Sequence, residues 1–120
     1  MKAEILLVED HPVQAEIFKT ALQASGLPVV HKTRGDEALD YIRAHRPRLV
    51  VLDLHLPGLN GDKVVQALRE IPQEERPILI LATADPRLAE MVQEDAEIVL
   101  LKPISYVQLR DLVKRLLQGE

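Results

Sequence analysis

In residues 49–58 (LVVLDLHLPG) an apolar run ends abruptly at an ionisable side chain. Four aliphatic residues lead directly into Asp53, and a Pro-Gly turn begins four residues later. A carboxylate at the end of a buried strand is costly unless it is paired or lies beside a cation. The segment therefore predicts a buried strand whose last residue, Asp53, either caps a turn or performs chemistry.

The composition is typical of a single globular domain. The chain has 120 residues, of which 47% are hydrophobic and 28% are charged, and its formal net charge is −4. It contains no cysteine, which excludes a disulfide framework and thiolate metal ligands. An aromatic content of 2% and the lack of a basic stripe argue against direct nucleic-acid binding. We expect one domain over residues 1–120 with no output domain, no membrane segment and a cytoplasmic location.

Apolar runs and helix-spaced apolar positions alternate along the whole chain. Short aliphatic runs predict five strands, at residues 3–8, 28–31, 49–53, 78–82 and 97–101. Helix-spaced apolar positions predict five helices, at residues 12–25, 36–45, 62–71, 86–93 and 105–118. Near-continuous aliphatic strands that alternate with helices indicate a parallel sheet covered on both faces. The predicted fold class is therefore α/β, a flavodoxin-like, doubly wound (βα)5 arrangement with strand order 2-1-3-4-5.

Polar residues follow the predicted strands at the points where they end. In such sheets, ligands bind outside the carboxyl ends of the strands, near the point where the strand order reverses. The first strand runs into Glu9 and Asp10 and the third ends in Asp53, and these two strands are predicted neighbours. The fourth strand runs into Thr83 and the fifth into Lys102. We therefore expect three carboxylates to converge in one crevice, beside a hydroxyl and an ammonium group.

The chemistry of such a crevice favours a divalent cation. Neighbouring carboxylates repel one another and tend to take up protons unless a cation compensates them. Oxygen ligands suit Mg²⁺, which keeps part of its water shell. A carboxylate beside Mg²⁺ can attack phosphorus, while Lys102 and Thr83 can hold other phosphoryl oxygens. The crevice therefore predicts phosphoryl transfer that depends on positioning and electrostatics.

The same residues resemble the response-regulator receiver domains of the CheY-like family, and the resemblance covers the whole chain. The matching positions are Glu9-Asp10, Asp53, Thr83 and Lys102-Pro103. By this resemblance Asp53 is the phosphoacceptor, Thr83 the switch hydroxyl and Lys102 the partner of the phosphoryl group. The implied Mg²⁺ ligands are Glu9, Asp10, Asp53 and the backbone carbonyl of His55. Pro57 and Gly61 match the turn after the acceptor, and the Lys102–Pro103 peptide bond is often cis in that family.

The resemblance also implies how the protein acts. It would be a signalling protein in a two-component or phosphorelay system, and it would catalyse only its own phosphorylation and dephosphorylation. A histidine kinase or a phosphotransfer protein would donate the phosphoryl group. A downstream protein, or a second copy in a homodimer, would bind the face formed by the fourth helix, the fifth strand and the fifth helix. Candidate residues on this face are Arg87, Met91, Tyr106 and Arg110.

Two positions depart from the family pattern. Val99 stands where the family usually has an aromatic residue, three positions before the lysine. We therefore expect switching to depend on Thr83 and the loop after the fourth strand, with a muted rearrangement of the fifth strand. His55 lies two residues after Asp53. In the family that the chain resembles, side chains at this position border the path of the attacking water, so the resemblance implies that His55 steers or blocks that water.

Two other functions fit part of the sequence. A pseudo-receiver would have this fold and bind partners without phosphorylation, although the acid pair, the acceptor and the lysine are all present. An aspartyl-phosphate hydrolase resembling haloacid dehalogenases would need an aspartate two residues after the nucleophile. His55 at that position argues against the hydrolase.

Overall fold

Strands and helices alternate along the chain as the sequence predicts. The structure is a computed structural model, and it describes residues 4–59 and 61–118. The strands are β1 (Ile5–Val8), β2 (Val29–Lys32), β3 (Leu49–Asp53), β4 (Ile78–Thr83) and β5 (Ile98–Leu101). The helices are α1 (Pro12–Gln23), α2 (Gly35–His45), α3 (Gly61–Leu68), α4 (Pro86–Met91) and α5 (Tyr106–Gln118). Residue 3, which the sequence predicts in the first strand, lies outside the described residues.

The five strands form one parallel sheet in the order β2-β1-β3-β4-β5, which confirms the predicted fold class. β1 lies between β2 and β3, with Leu6 opposite both Val30 and Val50. The strand order reverses at β1 and β3, so the loops that leave their carboxyl ends diverge to opposite faces and leave a crevice between them. This crevice is where the sequence predicts the site.

Apolar side chains fill a layer on each face of the sheet, because successive strand residues point to opposite faces. One layer joins the sheet to α2 and α3, and its members include Leu6, Val8, Ile42 and Val65. The other layer joins the sheet to α1 and α5, and its members include Ile5, Leu7, Phe18 and Leu109. Strands that are covered on both sides need apolar residues at every position, which explains the uninterrupted aliphatic runs.

Side-chain caps fix several helix starts near the crevice. The Nδ1 atom of His11 accepts a hydrogen bond from the Gln14 amide at the start of α1. The carboxylate of Asp85 accepts from the amides of Arg87 and Leu88 at the start of α4. The hydroxyl of Ser105 accepts from the Gln108 amide at 3.0 Å, which confirms the N-cap that the sequence predicts for the last helix.

Several predicted ends differ from the observed ones. α1 ends at Gln23 and α3 at Leu68, two and three residues before their predicted ends at 25 and 71. After α3 the chain tightens into turns in which each amide bonds to the carbonyl three residues earlier, as between Ile71 and Leu68. Short 3₁₀ turns at Gln73–Glu75 and Gln93–Asp95 were not predicted. Three residues of polar sequence carry no periodic signal, so the pattern misses them.

Gly61 brings the start of α3 against the end of β3. A Cβ atom on Gly61 would lie 2.5 Å from the Cα atom of Leu54 and 2.9 Å from the carbonyl oxygen of Asp53. The Gly61 amide donates to the Leu54 carbonyl at 3.1 Å, so the backbones meet directly. Glycine is therefore required for the close approach that holds the loop after Asp53. The predicted cis peptide bond between Lys102 and Pro103 is present.

None of the helices in the two described ranges has the length and apolar character needed to cross a lipid bilayer.

Candidate functional site

The carboxyl ends of β1, β3, β4 and β5 bring the predicted residues together. Glu9 follows β1, Asp53 ends β3, Thr83 ends β4 and Lys102 follows β5. Glu9, Asp53 and Thr83 are the buried polar residues in the part of the chain that the structure describes. Residues from positions 9 to 102 of the chain therefore meet at one edge of the sheet, as predicted.

Three carboxylates face the same space. Oxygens of Glu9, Asp10 and Asp53 lie within 4.8 Å of one another. Glu9 is only 1% exposed, whereas Asp10 lies at the surface. This arrangement offers oxygen donors alone, from two neighbouring strand ends, and it is open to solvent on the side of Asp10. The predicted convergence of Glu9 and Asp10 with Asp53 is confirmed.

Lys102 connects two of these carboxylates. Its Nζ atom donates hydrogen bonds to Oε1 of Glu9 and to Oδ2 of Asp53, both at 3.0 Å. The Lys102 amide also donates to the Thr83 carbonyl at 2.8 Å, which fixes the backbone that carries the ammonium group. The sequence predicts Lys102 beside the carboxylates, as the partner of a phosphoryl group, but it does not predict these two bonds. Glu9 and Asp53 lie 93 and 49 residues before Lys102, so no spacing in the sequence indicates that one ammonium group bonds to both.

Backbone and histidine contacts fix the position of Glu9. The His11 amide donates to Oε2 of Glu9 at 3.2 Å, so both carboxylate oxygens have a partner. Nε2 of His31 on β2 lies 2.8 Å from the Glu9 carbonyl oxygen, to which it donates. The spacing of the histidines predicts no metal site at His31, and it gives no indication of this bond to the Glu9 carbonyl.

Burial and like charge act together on Glu9. Burial raises the pKa of the Glu9 carboxyl, and the nearby charge of Asp53 raises it further, while the bond from Lys102 only partly opposes both. Burial alone would lower the pKa of Lys102, but its bonds to Glu9 and Asp53 outweigh burial and raise it. The ammonium group thus stays charged, and the cleft still has more negative than positive charge.

The donor set fits Mg²⁺. Three carboxyl groups face one ammonium group, and a divalent cation compensates this excess of acidic groups. Carboxylate oxygens are hard ligands, and the open side near Asp10 leaves room for the waters that Mg²⁺ retains. The backbone carbonyl of His55 remains a predicted ligand.

His55 and Thr83 meet beside Asp53. The His55 amide donates to Oδ1 of Asp53 at 2.9 Å, which folds the loop over the carboxylate. The Nε2 atom of His55 lies 3.3 Å from Oγ1 of Thr83, and the same Oγ1 accepts a hydrogen bond from the Asp85 amide at 3.1 Å. The sequence places His55 near the path of the attacking water, but it does not predict the contact with Thr83.

The family model described as the response regulator receiver domain matches residues 5–114 of the chain. The chain belongs to this family. The polar-differentiation response regulator DivK of Brucella anthropi is 29% identical over 117 residues, which cover 95% of each protein. A CheY-like response regulator receiver domain from Methylobacillus flagellatus superimposes with a TM-score of 0.80 at 27% identity, over 96% of this chain and 98% of that one. This domain is therefore a signalling module of two-component systems and not a classical enzyme.

A second similar structure bears on the metal. The receiver domain of a sensor histidine kinase from Pseudomonas aeruginosa has a magnesium ion coordinated in its active-site cleft. It superimposes with a TM-score of 0.82 at 26% identity, over 96% of this chain and 97% of that chain. Receiver domains bind Mg²⁺ and work with histidine kinases, phosphotransfer proteins and downstream effectors. The acidic cluster of this chain is suited to the same ion.

Proposed function

We propose that this receiver domain is a phosphorylation-controlled switch in which Asp53 accepts a phosphoryl group. The observation that carries the proposal is the way the Asp53 carboxylate is held. The His55 amide fixes Oδ1 and the Lys102 ammonium fixes Oδ2, so the carboxylate is oriented at the floor of the cleft before any donor arrives. Such fixed orientation lowers the entropic cost of the transfer step.

The donor is a phosphohistidine on a histidine kinase or a phosphotransfer protein. An oxygen of Asp53 forms a bond to phosphorus while the bond between phosphorus and the donor's imidazole nitrogen breaks. The electron pair of the broken bond stays on that nitrogen, which takes up a proton. Lys102 remains beside the acceptor and holds one phosphoryl oxygen, and Thr83 holds another with its hydroxyl.

Glu9, Asp10, Asp53 and the carbonyl of His55 are the residues that would hold Mg²⁺. When bound, Mg²⁺ supplies positive charge that neutralises the oxygens of the incoming phosphoryl group. Glu9 and Asp10 therefore serve to bind the ion, while Asp53 alone forms the acyl phosphate. Asp10 lies at the open side of the cleft, where the ion enters, and Glu9 is anchored by Lys102 and His11.

The output face is formed by α4, β5 and α5. Met91 on α4 is 79% exposed, although it is one of the larger apolar residues of the chain. The guanidinium of Arg110 lies over the ring of Tyr106 at 5.5 Å on α5, and Arg87 is exposed at the start of α4. These residues support binding of a downstream protein or a second copy. The single domain over residues 1–120 and the cytoplasmic location remain part of this proposal.

Acetyl phosphate tests the acceptor directly. The protein is incubated with acetyl phosphate and Mg²⁺, and the intact mass is measured. We expect one added phosphoryl group in the wild type and none in Asp53→Asn. Asp62→Asn, which changes an exposed aspartate at the start of α3, is the matched control and should gain the group as the wild type does.

Two outcomes contradict the proposal. Added phosphate that persists in Asp53→Asn would assign the acceptor to another residue. A wild type that gains no phosphate from acetyl phosphate or from a phosphohistidine donor would favour the pseudo-receiver, a binding module for which the missing aromatic at Val99 is the supporting feature.

A further inference from the structure

Thr83 is already committed to two partners before any phosphoryl group is present. The side chain has no solvent exposure, and its Oγ1 atom contacts the Asp85 amide on one side and Nε2 of His55 on the other. A threonine hydroxyl has one hydrogen and two lone pairs. The Asp85 amide takes one lone pair, so the contact with His55 uses either the hydrogen or the remaining lone pair.

The contact with His55 opposes the role that Thr83 has in the proposed switch. To bond a phosphoryl oxygen on Asp53, the hydroxyl must direct its hydrogen at that oxygen. If Nε2 of His55 carries no proton, it accepts this hydrogen and diverts it from the acceptor. If Nε2 is protonated, it donates to Oγ1 and restrains the oxygen itself. Both tautomers therefore hold the hydroxyl where it is, and the effect does not depend on titration of the imidazole.

The imidazole is carried by a well-anchored segment. On either side of His55, Leu54 and Leu56 are buried, while the His55 side chain is exposed. The Leu54 amide donates to the Ala82 carbonyl at 3.0 Å, and the His55 amide donates to Asp53. The backbone at His55 is thus tied both to β4, next to Thr83, and to the acceptor. This anchoring makes the contact between His55 and Thr83 a built feature of the cleft.

We propose that His55 is a positioning residue that holds the Thr83 hydroxyl in the unphosphorylated arrangement. Switching then exchanges a bond between Thr83 and His55 for a bond between Thr83 and the phosphoryl group. This inference rests on the proposed function and deepens it, because it assigns a residue that sets the balance between the two states. Loss of the contact shifts that balance toward the activated arrangement.

Three substitutions separate hydrogen bonding from bulk. His55→Ala removes the imidazole, His55→Phe keeps a ring without polar atoms, and His55→Gln keeps a polar side chain of similar reach. The first measurement uses protein without Mg²⁺ or phosphoryl groups and records the NMR couplings that report the χ1 rotamer of Thr83 and the hydrogen-exchange rate of the Asp85 amide. We expect both quantities to change in His55→Ala and His55→Phe, and to stay near their wild-type values in His55→Gln.

The second measurement is the affinity for beryllofluoride, a phosphoryl mimic, with Mg²⁺ present. We expect His55→Ala and His55→Phe to bind roughly three- to tenfold more tightly than the wild type, the change that loss of one competing hydrogen bond produces. In a Thr83→Ala background the same His55 substitutions should change the affinity little, because the partner of the imidazole is gone.

Each arm has an outcome that overturns the inference. An unchanged Thr83 rotamer and Asp85 exchange rate in His55→Ala would show that the contact restrains nothing. An affinity gain that persists in the Thr83→Ala background would mean that His55 acts on access to Asp53. Wild-type behaviour of His55→Phe would assign the effect to bulk. A wild type that binds no beryllofluoride contradicts the proposed function, and the NMR arm then still decides on the restraint.

Discussion

Lys102 is the residue on which the charge balance of the cleft depends. Its side chain is 16% exposed, and its ammonium group bonds to two buried carboxylates that would otherwise repel each other. Pairing a buried charge is stabilising only when its partners are also satisfied, and here Glu9 has a second bond from the His11 amide. Lys102 thus serves the resting fold in addition to the role proposed for it in holding a phosphoryl oxygen.

Lys102→Ala should destabilise the Mg²⁺-free protein at pH 7 by about 2 kcal/mol in urea unfolding. This is less than the usual cost of breaking a buried pair, because Glu9 can take up a proton. Mg²⁺ should still bind and recover part of the loss, since the carboxylates remain, but the response to beryllofluoride should weaken. Lys114→Ala, at an exposed position of α5, is the control and should change neither property. An unchanged response to beryllofluoride would remove Lys102 from the mechanism.

Helices and strands differ in how well their sequences define them. β3 has the predicted bounds, because its apolar run ends at a charged residue and the next residues form a turn. α1 is less well described by periodicity, since Val13 is 65% exposed although it shares helical spacing with buried positions. α3 and α4 end earlier than predicted, because hydrogen bonds within local turns compete with those that would continue the helix.

β5 should move little when the acceptor is modified. Val99 is half-buried against the core layer of α2 and α3, opposite Leu81 of β4, and a β-branched side chain is stiff at χ1. It has no ring to swing inward. In amide NMR spectra with and without beryllofluoride, we expect larger shifts at residues 83–88 than at residues 98–101. Val30 on β2 is a distant reference position in the NMR spectra. A large displacement of β5 in the beryllofluoride-bound structure would refute this expectation.

The sequence predicts the assembly of the cleft because the fold class itself brings strand ends together. Once the order 2-1-3-4-5 is inferred, Glu9, Asp53, Thr83 and Lys102 must meet, and they do. What it cannot predict is which side chains pair there. The bond from Lys102 to Glu9 and the contact of His55 with Thr83 depend on loop paths and rotamers, and neither leaves a periodic signal.

The pH dependence of the free energy of unfolding should report on the carboxyl groups of the whole cleft. Glu9 has its pKa raised above the ordinary 4.5 by burial and by Asp53, so the folded state favours its protonated form. As the pH rises through the ordinary pKa and then through the pKa of the folded state, the Mg²⁺-free protein loses the stability that this proton contributes.

Mg²⁺ replaces the proton, so its stabilising effect, about 2.7 kcal/mol at a hundred times Kd, should be larger at pH 7.5 than at pH 5. Thermal unfolding at both pH values tests this link. Glu9→Gln should reduce the change in stability between the two pH values and weaken the stabilisation by Mg²⁺. Glu16→Gln, on the exposed side of α1, is the control and should do neither. Equal stabilisation by Mg²⁺ at both pH values would contradict the link between the ion and the buried carboxylate.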